Sequence, residues 1–230
     1  MLHEIGDPEN KGENLYEWEA PTLDAKVKRV CAQCNNGWMN EIEGRARPFL
    51  SSLIQGHGRT LYREGQQRLA TWAVKTAMML AFLARGSFRT IPQGHYNQLF
   101  HRPDQPPETT QVWLSAVQEG TVCHHRPVRL GLKIPGVIPD VHGYGVTFNV
   151  GHAVFQIFGH ELGKDRAIRD TRDGRPFGEA LMPIWPYERA VEWPPPFVFS
   201  MAQLGQLISD SADRHWNFVG FPPAAEWQLP

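Results

Sequence analysis

Apolar positions in the first half of the chain recur with the period of a helix. A run that starts at Asn40 predicts a helix of about three turns with one buried face, in which Pro48 is expected to bend or split the helix and Asn35 or Asn36 to cap it. A second run, from Gln66 to about Ala84, is apolar around most of its circumference, which is typical of a helix inside a core. The apolar residues that define the first run are Ile42, Phe49, Leu50, Leu53 and Ile54.

The second half of the chain changes to the alternation that is typical of strands. Residues 110–117 and 127–134 each predict a strand, and residues 144–150 and 153–158 predict a hairpin that turns at Gly151. Several strands that follow one dominant helix indicate an α+β domain with an antiparallel sheet. We therefore predict a small zinc-knuckle and helix module, similar to a treble clef, followed by a larger domain of helix and antiparallel sheet.

Charge and composition divide the chain into four segments. Residues 1–24 are acidic and are expected to be a solvated lead-in, disordered up to about Leu15. Residues 25–56 form the predicted knuckle module, residues 57–221 the α+β domain, and residues 222–230 a loose tail. Shorter elements are expected at residues 60–62 (strand), 92–100 (helix) and 201–210 (closing helix).

Overall composition limits the classes of partner. The 230 residues are 41% hydrophobic, enough for a proper core, and the formal net charge is only −1. A nucleic-acid contact therefore needs a local basic patch, and Lys26, Lys28 and Arg29 are the candidates, although lysines at a strand edge also protect against aggregation. The start of the chain lacks a signal-peptide pattern, no run is long enough to span a membrane, and three cysteines make no even disulfide framework. These features predict a cytoplasmic protein.

The cysteine pair Cys31 and Cys34 is the one motif whose spacing indicates chemistry. Two cysteines separated by two residues can hold a zinc ion at about 2.3 Å, because the turn between them folds back and directs its amides at the sulfurs. A stable tetrahedral site needs two more ligands, so the pair makes half of a structural zinc site.

The stretch Val30-Cys-Ala-Gln-Cys-Asn-Asn-Gly-Trp-Met39 resembles the C-terminal half of the HNH endonuclease motif, in the bacterial subgroup that reads C-x-x-C-N-N-G-W-M. The resemblance implies a metal-dependent endonuclease, a hydrolase of phosphodiester bonds, with DNA ahead of RNA as the expected nucleic acid. It also implies a structural zinc shared by two C-x-x-C pairs and a histidine as the general base. Asn35 matches the position that helps to hold the catalytic divalent metal, which would be magnesium or manganese.

The upstream half of that motif is absent from this sequence. No first C-x-x-C and no Asp-His or Glu-His pair precedes Cys31, because His3-Glu4 has the reversed order and lies apart from any cysteine. We therefore expect no catalytic residue in the chain as written, which would be an N-terminally truncated or degenerate, inactive copy. The alternative is a non-catalytic, zinc-stapled module that binds nucleic acid or protein.

Other residues of metal-ligand type are scattered along the chain. His57 stands between two glycines in a predicted turn, and Cys123, His124 and His125 are adjacent, so that neighbouring side chains of an extended segment point to opposite faces. His57 is expected to face solvent. The single histidines around the hairpin, His142, His152 and His160, are expected to be structural.

Overall fold

The computed structural model describes residues 2–5, 16–19, 30–82, 91–120, 125–132, 141–161, 168–170, 177–210 and 218–220. Helices and antiparallel strands are both present, so the α+β class is confirmed. The helices are α1 (Ala32–Cys34), α2 (Asn40–Ile54), α3 (Arg63–Ala81), α4 (Gln93–His101) and α5 (Met201–Asp210). The strands are β1 (Leu2–Ile5), β2 (Tyr16–Glu19), β3 (Arg59–Leu61), β4 (Thr110–Ala116), β5 (His125–Leu132), β6 (Val141–Val150), β7 (Ala153–His160), β8 (Ile168–Asp170), β9 (Met182–Trp185), β10 (Val191–Trp193) and β11 (Phe218–Gly220).

A five-stranded antiparallel sheet organises the fold, with the strand order β5-β6-β7-β4-β9. The hairpin predicted at Gly151 is confirmed, because β6 and β7 pair from Val150 opposite Ala153 back to Gly143 opposite His160. The strands predicted from residues 110 and 127 are also confirmed as β4 and β5. Three further antiparallel pairs, β1-β2, β3-β10 and β8-β11, lie outside this sheet.

Helix α3 is the predicted core helix, and it packs on one face of the sheet. Trp72 of α3 contacts the rings of Phe148 and Phe155, with centroids 6.0 and 5.4 Å away. The helix begins three residues earlier than predicted, and residues 83–90, which include the predicted end near Ala84, lie outside the described residues. Its apolar surface is buried on nearly every side because α2 covers the side that the sheet leaves open.

Helix α2 begins at Asn40 as predicted and ends at Ile54, the last apolar residue of the predicted run. It is 15 residues long and runs through Pro48 without a break, so the expected split is wrong. Its apolar stripe, Ile42, Ala46, Leu50 and Leu53, belongs to the same hydrophobic cluster as α3 and the sheet. The described part of the predicted module therefore shares its core with the larger domain.

The opposite face of the sheet carries a second, smaller core. Trp113, Val154 and Phe158 point to this face, because they alternate with the residues that pack on α3. Leu204 and Leu207 of α5 cover them, which confirms the predicted closing helix. The sheet is thus buried between helices on both faces.

The N-terminal lead-in contains two short paired strands. Leu2 pairs with Glu19 and Ile5 with Tyr16, so β1 and β2 form an antiparallel pair where the sequence predicts disorder up to about Leu15. Residues 6–15, the basic residues Lys26, Lys28 and Arg29, and the tail at 222–230 lie outside the described residues. Among the described residues, no helix combines the length and apolar character that crossing a membrane requires.

Candidate metal centre

The Cys31–Cys34 segment folds as a tight turn in which one cysteine caps the other. The backbone N–H of Cys34 donates a hydrogen bond to the Cys31 sulfur at 3.3 Å, and the N–H of Asn35 donates to the Cys31 carbonyl at 3.0 Å. Cys31 is thus the N-cap of α1, with extended backbone angles that let its side chain fold over the first turn. The prediction that Asn35 or Asn36 caps α2 is wrong, since both lie in the turn before it and the N-cap of α2 is Met39, whose side chain makes no capping hydrogen bond.

The geometry of this turn favours the thiolate form of Cys31. The hydrogen bonds from Cys34 lower the pKa of the Cys31 thiol, because an amide N–H stabilises a negative sulfur. Cys31 is exposed, Cys34 is half-buried, and both thiols are free. An amide directed at a cysteine sulfur is the arrangement expected of a residue that binds metal as a thiolate.

Asn35 begins a five-residue π-helical turn, Asn35–Met39, that connects α1 to α2. The turn contains a kink at Gly37, whose backbone angles, φ −93° and ψ −116°, are not helical. Asn35 and Asn36 are exposed, and the Asn35 amide nitrogen lies 3.4 Å from the Asn36 amide oxygen.

The residues that follow attach this turn to the core. Met39 is buried, and Trp38 makes an edge-to-face contact with Phe100 of α4, with ring centroids 6.0 Å apart. Glu43, one turn after Met39, accepts a hydrogen bond from Nζ of Lys75 in α3 at 2.6 Å. The segment that follows the cysteine turn is therefore attached to both α3 and α4.

The donor set at this turn fits half of a zinc site. Two cysteine sulfurs are in place, whereas zinc in a structural site takes four ligands. Within the described parts of the chain, no group of three or more His, Cys, Asp or Glu residues could hold a metal ion. The described residues therefore show neither a zinc knuckle nor a treble-clef form.

The other residues of ligand type lie away from the cysteines. His57 is exposed in the turn after α2, as predicted. His125 is buried in β5 opposite Phe148, while Cys123 and His124 lie outside the described residues. His152 donates a hydrogen bond from Nδ1 to the Val117 carbonyl at 2.9 Å.

A buried polar network around His95 was not predicted from the sequence. The Tyr144 hydroxyl lies 2.8 Å from His95 Nδ1, and the Thr109 hydroxyl and His160 carbonyl lie 2.8 and 3.1 Å from Nε2. Because the His160 carbonyl can only accept, Nε2 carries the proton, and the Tyr144 hydroxyl donates to Nδ1. Local sequence gives no signal for this network, since its members come from α4, the loop before β4, β6 and β7.

Burial keeps the network uncharged. Desolvation lowers the pKa of His95 to about 4 and the pKa of His160 to about 4, while it raises the pKa of Tyr144 above its ordinary value. All three side chains are at most 3% exposed. The network joins α4 to the sheet through buried rings, so we assign it to stability.

Comparison with known protein families, with curated proteins and with solved structures finds no match for this chain.

Proposed function

We propose that this chain supplies the second half of an HNH-type nuclease site and does not cleave nucleic acid by itself. The observation that supports the proposal is the Cys31–Cys34 turn, in which the Cys34 amide caps the Cys31 sulfur and both thiols remain accessible. Cys31 and Cys34 would hold two positions of a structural zinc, and a second cysteine pair would complete it. A treble-clef-like module then forms only when both halves are present.

Asn35 has a separate role in this proposal. Its exposed amide oxygen, next to Cys34 on the π-helical turn, would help to hold a magnesium or manganese ion. Such an ion neutralises charge on the scissile phosphate and lowers the pKa of a bound water. One neutral amide is a weak holder of magnesium, which prefers carboxylates, so the site needs an additional anchor and a histidine base from the upstream half.

A plasmid-nicking assay with magnesium or manganese tests the proposal. The 230-residue chain is compared with a form extended at its N-terminus to carry a first C-x-x-C and an acid-His pair, and Asn35→Ala is made in the extended form. We expect nicking by the extended form only, with loss in Asn35→Ala. A missing general base alone removes a factor of about 10² to 10⁴ in rate.

Asn36→Ala serves as the matched control, because Asn36 is equally exposed on the same turn. It is expected to leave nicking by the extended form within a few-fold of the parent. Metal-dependent nicking by the 230-residue chain that Asn35→Ala abolishes would contradict the proposed inactivity, and His57 would then be tested first as the base.

A non-catalytic, zinc-stapled binding module is the second candidate. It rests on the same Cys31–Cys34 turn and needs no catalytic metal at Asn35. In this case the extended form binds zinc through both cysteine pairs but shows no nicking with either metal. Zinc content and nicking measured on the same preparation separate the two functions.

A further inference from the structure

Two arginines next to an exposed tyrosine distinguish the surface around the start of α3. Tyr62, between β3 and α3, is 68% exposed, more than any other large hydrophobic side chain of the described residues. Arg63 follows it directly, and Arg59 begins β3, three residues before Tyr62. We call Arg59, Tyr62 and Arg63 the arginine–tyrosine surface.

Each of these arginines lies over an aromatic ring. The Arg59 guanidinium carbon is 4.5 Å from the centroid of the Phe49 ring, and that of Arg63 is 5.9 Å from the centroid of the Tyr187 ring. Stacking on a ring restricts the motion of a guanidinium group. The N–H groups at the edge of its plane stay available to a ligand. Arg59 uses one of these groups on the Pro48 carbonyl, which fixes it further.

The surrounding charges leave this surface positive at its centre. Neither Arg59 nor Arg63 forms an ion pair with a described residue, whereas Glu64 pairs with Arg68. Arg68 also lies near the Phe49 ring, at 5.9 Å, so two guanidinium groups lie close to this ring.

Two more carboxylates lie at the border of this surface. Glu192 accepts a hydrogen bond from the Thr60 hydroxyl at 3.0 Å, and Glu188 is exposed next to exposed Arg189. The Glu192 carboxylate keeps its negative charge, because its partner is a neutral hydroxyl, so Arg59 and Arg63 together leave the surface with a small excess of positive charge.

We propose that the arginine–tyrosine surface binds single-stranded nucleic acid. Arg59 and Arg63 offer planar donors that match phosphate oxygens, and Tyr62 offers an exposed ring on which an unpaired base can stack. An acidic peptide would satisfy the arginines but would leave Tyr62 without a partner. The proposal shares the nucleic-acid partner of the proposed function, but binding here requires neither metal nor the cysteine turn.

Fluorescence anisotropy with a labelled 20-nucleotide oligothymidylate in EDTA tests this surface on the full chain. We expect Tyr62→Ala to raise Kd about fivefold or more and Tyr62→Phe to bind as the parent does, because stacking needs the ring alone. Arg63→Ala should weaken binding and make the slope of log affinity against log salt shallower by about 0.7, the effect of one lost phosphate contact on a single strand.

Arg102→Ala is the matched control, since Arg102 is an exposed arginine that pairs with Glu108 at the end of α4. It should change neither Kd nor the salt slope. Equal weakening by Arg102→Ala and Arg63→Ala would show a general charge effect and overturn the proposal. The proposal would also be overturned if the chain showed no binding or if Tyr62→Ala bound as the parent does. It would equally be overturned if the chain bound a duplex of equal length more tightly than the single strand, or an oligoglutamate with equal affinity.

A Cys31→Ser, Cys34→Ser double variant separates this inference from the nuclease proposal. It should keep the parent Kd for oligothymidylate, because both residues lie outside the arginine–tyrosine surface. A loss of binding in this variant, with the far-ultraviolet circular dichroism unchanged, would place the nucleic-acid contact at the cysteine turn and overturn the proposal.

Discussion

His95 and His160 are buried next to each other and are neutral in the folded protein. The pKa of each is lowered to about 4 by desolvation, and a charge on either one disfavours a charge on the other. In the unfolded chain both rings titrate near their ordinary pKa of about 6.5. Between these values the unfolded state binds more protons than the folded state.

The free energy of unfolding should therefore fall as the pH drops from about 6.5 towards 4 and should be insensitive to these histidines above pH 7. We expect the pair to account for a loss of about 2 to 4 kcal/mol between pH 7 and pH 5. Urea unfolding at a series of pH values measures it. A His95→Gln variant should show a shallower pH dependence, and an unchanged dependence would contradict the assignment of these pKa values.

At the scale of elements, α2 and α3 are joined by one charged contact inside an apolar interface. The Lys75 side chain is only 7% exposed, and its sole ion pair with a described residue is with Glu43, which is about half exposed. Removing the carboxylate leaves a largely buried ammonium without its partner.

We expect Glu43→Ala to lower the free energy of unfolding by about 1 to 2 kcal/mol, less than for a fully buried pair because water reaches Glu43. Glu41→Ala is the matched control, since Glu41 is also in the first turn of α2 and pairs with Arg45 at the surface. It should change stability by less than about 0.5 kcal/mol in the same urea unfolding. Equal changes in the free energy of unfolding would show that the Lys75–Glu43 pair stabilises the fold no more than the surface pair Glu41–Arg45 does.

The β6–β7 turn meets the end of α2 at Gly151. This glycine has a φ of +52°, and a Cβ added here would overlap the Ile54 carbonyl oxygen. Both features exclude a side chain, because positive φ is unfavourable for L-residues and the neighbouring atom belongs to the backbone.

Gly151→Ala should therefore lower the free energy of unfolding by about 2 to 4 kcal/mol. Gly44→Ala, inside α2 with no atom within 4 Å of the added Cβ, should instead raise it by about 0.5 to 1 kcal/mol. Thermal unfolding followed by circular dichroism compares the two. Similar shifts of Tm in the same direction would contradict the close approach of α2 to the turn.

The elements that the sequence predicts well are those determined by local periodicity. Helix α3 and the β6–β7 hairpin have long, regular patterns that tertiary contacts reinforce. The predictions are wrong where packing and hydrogen bonds in the folded chain, and not local residue preference, determine the backbone structure. Cys31 takes the cap position, although serine, threonine, aspartate or asparagine is usual there. At Pro48, packing of the flanking Ala46 and Leu50 keeps α2 continuous despite the missing backbone donor.

At the scale of the whole molecule, one sheet with helices on both faces carries the Cys31–Cys34 turn at its surface. The α+β class follows from the order of elements along the chain, but the second core under α5 depends on which face Trp113 and Phe158 occupy. In the candidate centre, the C-x-x-C spacing indicates Cys31 and Cys34, and only the resemblance to the HNH motif indicates Asn35. The His95 network was not predicted from the sequence, because a buried polar contact between elements far apart in the chain leaves no local sequence pattern.

The central claim is that Cys31 and Cys34 provide two of four ligands for a structural zinc. Titration of the reduced 230-residue protein with cobalt, followed by competition with zinc and a chelator, tests it through the absorbance of cobalt–thiolate bonds. We expect weak binding with a two-thiolate signal that Cys31→Ser or Cys34→Ser removes. One tightly held metal per chain, or binding that survives both substitutions, would contradict the claim.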